Sequence, residues 1–159
     1  MPENRKPVVL LVDDEPMILT SIRTLLTLEA DYEIFTFTDP LAAAKHLSEN
    51  TVDIVVSDYM MPGLNGIQFL AESKRLQPEA TRVLLTGHAD KGSAIKAINE
   101  VSLFHYLEKP WDNEQLLLVI RQGLERAQLL RELRERISQL DAAHSTLKNS
   151  QARLLKAFL

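Results

Sequence analysis

Between residues 7 and 120, short runs of β-branched, aromatic and leucine residues alternate with longer stretches whose apolar positions recur at helical spacing. That alternation predicts βαβ units around a parallel sheet. Five strands are expected, PVVLLV (7–12), YEIFTF (32–37), VDIVVS (52–57), RVLLT (82–86) and FHYLE (104–108). The middle ones are nearly continuous Val, Ile and Leu, as expected where helices cover both faces of a sheet. Helix starts are marked by Pro16 after Asp-Asp-Glu, by Asp39-Pro40, by Gly66 after a Pro-Gly-Leu-Asn turn, and by Asp112-Asn113 after Lys109-Pro110. The helix from Gly66 turns Ile67, Phe69, Leu70 and Leu76 inward and is stopped by Pro78.

A second pattern begins at Asn113. From there a helical periodicity runs to the end of the chain with no proline and a single glycine, Gly123. This is about 45 residues, on the order of 65–70 Å of helix, too long to lie inside a domain of this size. From Leu130 the positions Leu130, Leu133, Ile137, Leu140, His144, Leu147, Gln151, Leu154 and Phe158 recur at spacings of 3 and 4. With Leu130 as a, every d is leucine and the a layer is partly polar, which favours a parallel two-stranded coiled coil at some cost in stability. Arg136 at g then faces Asp141 at e of a second copy. Folding back on its own domain, or fraying, is the alternative for so short a repeat. His144 is read as a polar a residue, since its sequence neighbours are unlike those of a phosphorylated kinase histidine. The expected division is 1–125 for the globular domain and 126–159 for the helix. The periodic pattern stops without a C-cap glycine, so an effector domain is expected beyond it.

Composition narrows the class. Apolar residues make up 45% and charged residues 25%, as in ordinary soluble domains. Cysteine is absent, which removes disulfides, thiolate metal sites and cysteine nucleophiles. The N-terminus MPENRKP has no apolar signal core, and the longest apolar run, Leu116 to Ile120, is far shorter than the roughly 20 residues of a membrane span. A cytoplasmic protein without a membrane partner is expected. Residues 1–120 carry 10 Lys and Arg against 18 Asp and Glu, and residues 121–159 carry 8 against 4. The acidic part does not suit nucleic acid, and the basic part is interspersed with acids in the manner of a solvated helix. No nucleic-acid partner is expected.

The chemistry gathers at the strand ends. In a doubly wound sheet, ligands collect at the carboxyl ends of strands where the strand order reverses. Asp13-Asp14-Glu15 follows the first strand, Asp58 the third, Thr86 closes the fourth and Lys109 the fifth. Three carboxylates facing one another raise each other's pKa unless a cation neutralises them. Mg²⁺ suits such a set, with Asp14 and Asp58 as direct ligands, Asp13 as a direct or water-mediated one, and the backbone carbonyl of Met60 completing it. Asp58, on the central strand, is then the carboxylate placed to become an acyl phosphate. Lys109 and the Thr86 hydroxyl are expected to bind the remaining phosphoryl oxygens.

Taken together, LLVDDEP, DIVVSDYMMPGLNG, VLLTGHAD and YLEKPW, in this order and spacing, resemble the receiver domains of two-component response regulators over roughly residues 7–125. The resemblance implies an α/β fold with a doubly wound five-stranded parallel sheet, flavodoxin-like in its order 2-1-3-4-5, here with an extended C-terminal helix. It implies Mg²⁺-dependent phosphoryl transfer to Asp58 from a histidine kinase or phosphotransfer protein. It implies a domain that is expected to catalyse only its own phosphorylation and dephosphorylation. It also implies that Thr86 and Tyr106 act as a switch pair, and the heptad pattern adds the expectation that the coiled coil passes the change on as a homodimer.

Several residues carry competing readings. Asp13 alone would be read as a helix cap, Tyr106 as a core aromatic and Trp111 as a packing anchor. His105 precedes the switch aromatic where the family often has a small residue. Met60 cannot orient a hydrolytic water, which predicts a slowly hydrolysed phosphoryl group, while His88 could hold one. A haloacid-dehalogenase-type phosphatase is disfavoured because neither Asp-Asp-Glu nor Asp-Tyr-Met supplies the Asp-x-Asp general acid. An unphosphorylated structural dimerisation module is the remaining alternative.

Overall fold

The protein is described from a computed structural model covering residues 5–87 and 91–158. Strands and helices alternate: β1 Val8–Val12, α1 Pro16–Glu29, β2 Glu33–Phe37, α2 Pro40–Glu49, β3 Ile54–Asp58, α3 Gly66–Leu76, β4 Thr81–Thr86, α4 Lys91–Glu100, β5 His105–Glu108 and α5 Asn113–Phe158. The sheet has the order β2-β1-β3-β4-β5 and every pairing is parallel. This is the expected α/β architecture, with the order reversing between β1 and β3.

Side chains alternate across the sheet, so each strand feeds two cores. Val8, Leu10 and Val12 join Ala43 and Leu47 of α2 and Phe69 and Leu70 of α3 in one layer. Val9 and Leu11 join Leu19, Ile22 and Leu26 of α1 and Leu116, Val119, Ile120 and Leu124 of α5 in the other. With both faces covered, β1, β3 and β4 are buried along their whole length.

The local start signals act as expected. Asp39 Oδ1 accepts from the Leu41 amide at 3.0 Å, and Pro16 and Pro40 occupy first-turn positions where their missing N–H costs nothing. Asn65 and Gln68 form a reciprocal capping box on α3. Each strand differs from its expected bounds by one or two residues, and the shift in β3 bears on the site. β3 starts at Ile54, after Asp53 turns its carboxylate to the Val8 amide at 2.6 Å and to Arg5 at 2.8 Å. Asp58 is consequently the last residue of β3 and not the one after it.

Two polar residues, one buried and one partly buried, were not anticipated as such. Arg82, at the start of β4, is 2% exposed. Its guanidinium donates to the carbonyls of Val101 at 2.8 Å and Ala80 at 2.9 Å, joining the α4–β5 turn to the α3–β4 turn. Burial pushes its pKa down to about 10, helped by the charge of Arg126, so it stays charged at neutral pH. Gln77 Oε1 accepts from the Val52 amide and its Nε2 donates to the Leu47 carbonyl.

The chain divides into two units, Met1–Ala127 and Gln128–Leu159. In the second, Leu133, Ile137, Leu140, Leu147 and Leu154 are each at least half exposed. His144 and Gln151 are also exposed, Leu130 is partly so, and the Phe158 side chain lies outside the described part. No helix among the described residues is long and apolar enough to cross a membrane.

Phe69 is fully buried between the sheet and α3. Phe69→Ala is expected to lower the stability of the first unit by about 3–5 kcal/mol, the cost of deleting a buried aromatic ring, measured by urea unfolding.

Candidate functional site

The reversal of strand order between β1 and β3 opens a crevice at the carboxyl ends of the strands, where α1 and α3 diverge to opposite faces. Asp13 and Asp58 flank it, and both are buried, at 1% and 5% exposure. Asp14 is exposed beside them. Asp13, Asp14 and Asp58 each offer a carboxylate oxygen, all within 4.8 Å of one another.

Backbone contacts set each group. Asp13 follows β1 and donates its amide to the Phe37 carbonyl of β2 at 3.1 Å. Its Oδ1 accepts from the Glu15 amide at 2.9 Å, turning the chain into α1. Asp58 Oδ1 accepts from the Tyr59 amide at 2.9 Å. The loop after Asp58 folds back so closely that the Gly66 amide reaches the Tyr59 carbonyl at 2.8 Å. A Cβ on Gly66 would lie 2.1 Å from the Asp58 carbonyl oxygen. Only glycine permits this approach, and it seats the first turn of α3 against the end of β3. The sequence marked Gly66 as a helix start, but a steric role toward Asp58 has no sequence signature of its own.

Lys109 follows β5 and spans the crevice. Its ammonium lies 3.0 Å from Asp58 Oδ1 and 3.1 Å from Asp13 Oδ2. Burial works against its charge, but the bonds and charges of Asp58 and Asp13 outweigh that and hold its pKa above the ordinary lysine value. For Asp58 the balance falls the other way. Burial is the largest influence and pushes its pKa up, the bond to Lys109 lowers it, and the charge of Asp13 raises it again, for a result of about 6. Among the described residues, nothing hydrogen-bonds to Asp58 Oδ2.

The ends of all four strands therefore come together, but not every side chain points inward. Thr86 is fully buried at the end of β4, and its hydroxyl donates to the Leu107 carbonyl of β5 over a long 3.5 Å. The hydroxyl is thus engaged by the neighbouring strand. Tyr106, opposite Leu84 in the β4–β5 register, is half-buried against the α2–α3 core layer. His105 is exposed, its Nδ1 2.7 Å from the Tyr106 carbonyl. Met60 is 62% exposed in the loop after Asp58. His88 lies outside the described residues.

The donor set suits a small hard cation. All three side chains offer carboxylate oxygen, and Asp58, whose pKa is raised first by burial and then by the charge of Asp13, would gain from a cation that neutralises it. Mg²⁺ favours such oxygen ligands, a few from protein and the rest from water or phosphate.

Residues 9–121 match the response regulator receiver domain family. The chain belongs to that family. Among its relatives, the hydrogenase transcriptional regulatory protein HoxA of Cupriavidus necator is 31% identical over 77% of this chain and 25% of its own length. The nitrogen assimilation regulatory protein NtrX of Azorhizobium caulinodans is 30% identical over 89% of this chain and 31% of its own. Of solved structures, the signal receiver domain of an HD domain-containing protein from Pseudomonas fluorescens Pf-5 superposes with a TM-score of 0.76 at 39% identity. It covers 81% of this chain and 94% of that one. The chain thus spans a quarter to a third of the length of these curated regulators, whereas it nearly fills the separate receiver structure. As a receiver it is a part of two-component signal transduction.

The pKa of Asp58 has a consequence for stability. Because the folded value, about 6, lies above the ordinary 3.8, the proton it retains favours the fold below about pH 4, and this contribution is lost as pH rises through the folded value. In chelator at about pH 7.5, Asp58→Asn should exceed the wild type in stability by roughly 1–2 kcal/mol after allowance for solvent screening. The gap should close toward about pH 4. Paired urea titrations across that range measure it.

Proposed function

We propose that this receiver accepts a phosphoryl group on Asp58 from a histidine kinase or phosphotransfer protein and passes the change on through its C-terminal helix as a homodimer. The observation that carries the proposal is the setting of Asp58. One of its oxygens is tied to Tyr59 N and Lys109, and the other has no hydrogen bond among the described residues. Oδ2 then attacks phosphorus in line with the donor, the phosphorus–nitrogen bond of the donor phosphohistidine breaks, and its imidazole leaves as the acyl phosphate forms. Lys109 keeps one ammonium between Asp13 and Asp58, in reach of an added phosphoryl oxygen.

Mg²⁺ would be held by Asp13, Asp14 and Asp58 with the Met60 carbonyl, and it supplies charge neutralisation for the carboxylates and the incoming phosphoryl oxygens. Thr86 is the remaining phosphate ligand, and to reach the crevice its hydroxyl must leave the Leu107 carbonyl. That exchange couples the acceptor to β5, and through it to Tyr106, which follows as the second member of the switch. The weak 3.5 Å bond makes the exchange inexpensive. Beyond phosphorylation and dephosphorylation of itself, no catalysis is assigned to the domain.

The exposed leucines of the second unit support pairing of the helix with a second copy. A row of half-exposed Leu and Ile at a and d positions is the seam of a two-stranded coil, and His144 and Gln151 facing their own equivalents would set a parallel register.

Incubation with acetyl phosphate should add one phosphoryl group in a Mg²⁺-dependent manner, measured by intact mass, and Asp58→Asn should add none. Equal behaviour of the two proteins would instead support a purely structural dimerisation module. The label should be long-lived, because Met60 cannot orient water. Met60→Asn should speed its loss roughly tenfold, a modest gain for a group that positions water. Sedimentation should show a dimer, and a monomer at high concentration would refute the coil.

A further inference from the structure

The start of β4, at the opposite end of the sheet from the acidic crevice, holds a group of contacts that phosphoryl chemistry does not use. Thr81 is fully buried, and its hydroxyl donates to the Gly123 carbonyl of α5 at 2.6 Å. The same oxygen accepts from Arg126 Nη1 at 3.3 Å. Arg126 in turn lies over the Phe104 ring, 6.0 Å from its centroid, at the lead-in to β5. Gly123 permits the fit, since a Cβ there would lie 2.6 Å from Ile54 Cδ1 and 3.0 Å from Thr81 Cγ2. One turn of α5 is thereby seated on the sheet in a single rotational setting.

The strands involved are the ones that matter for the crevice. Ile54 and Thr81 are register partners at the starts of β3 and β4, and the same two strands end in Asp58 and Thr86. On the other face of β4, the next residue, Arg82, is tied to the Val101 and Ala80 carbonyls. A hydrogen-bonded strand gripped on both faces does not yield locally. A displacement at its Thr86 end must either be absorbed across the sheet or reach α5 where Thr81 holds it.

We infer that Thr81, Gly123 and Arg126 form a lock through which the state of the Asp58 crevice is communicated to α5. This rests on the proposed transmission through the C-terminal helix and adds the residues that carry it. A buried threonine hydroxyl needs some partner in any fold. The lock differs from mere satisfaction in that removing the hydroxyl separates two functions that the intact protein joins.

The full chain without cysteine allows a direct test. Gln151→Cys is introduced at an a position of the coil, and the rate of disulfide formation between copies is measured with and without Mg²⁺ and beryllofluoride. Labelling by acetyl phosphate reads the crevice independently. In the Gln151→Cys parent the two rates should differ by about fivefold or more, as a coupling free energy between sites of ordinary size gives. Adding Thr81→Val should bring the ratio within about twofold of one while labelling persists, and Thr81→Ser should restore the coupling. Gly123→Ala, whose Cβ would crowd Ile54 Cδ1 at 2.6 Å and Thr81 Cγ2 at 3.0 Å and so disturb the Thr81 seat, should weaken the coupling in the same direction and stands in if Thr81→Val does not fold. Undiminished coupling in Thr81→Val or Gly123→Ala overturns the lock, as does loss of labelling together with coupling. A parent that labels but shows equal rates in both states removes transmission through the coil and the lock with it.

Discussion

Two buried carboxylates, Asp13 and Asp58, meet at the ends of β1 and β3, and the Lys109 ammonium 3.1 and 3.0 Å away holds them together. Without a cation between them the crevice would repel itself. Burial above all, and then the charge of Asp13, outweighs what the single lysine offsets, which is why Asp58 carries a pKa of about 6. The rest of the first unit serves this arrangement. The strand order puts β1 beside β3, Gly66 lets the first turn of α3 close on the Asp58 backbone, and β5 delivers Lys109 from the far side of β4. The strain of unneutralised charge is also what makes the crevice receptive to a divalent cation.

The order of strands and helices was legible in the sequence because its signals are local and mutually consistent. Continuous apolar strands, prolines in first turns and the Asn65–Gln68 cap each restrict the backbone within a few residues. The convergence of Asp13, Asp14, Asp58 and Lys109 was legible for a topological reason, since parallel strands direct their carboxyl ends the same way. What escaped depends on contacts between residues distant in sequence. Arg82 reads as an ordinary strand-edge charge until the turns at Ala80 and Val101 surround it. Asp53 reads as part of a strand, yet it delays β3 by capping the Val8 amide. The bond of the Thr86 hydroxyl to the Leu107 carbonyl is a rotamer choice that periodicity does not encode.

The two units raise different physical questions. In the first, the central strands are buried along their whole length and the chemistry gathers at their carboxyl ends. In the second, a row of leucines remains in water, which a lone helix gains nothing by displaying. A second copy would cover that row. The polar a residues His144 and Gln151 would keep such a coil from being uniformly stable, a property suited to an element that must change state. Between crevice and helix stands β4, with Thr86 at one end and Thr81 and Arg82 at the other, each hydrogen-bonded to a different neighbouring element.

The most direct measurement is the identity of the modified side chain. Borohydride reduces an acyl phosphate of aspartate to homoserine, which peptide mass spectrometry locates in the chain. After brief exposure to acetyl phosphate and Mg²⁺, homoserine should be found at position 58 alone. Homoserine at position 13 or 14, or at none of the three, would contradict the account.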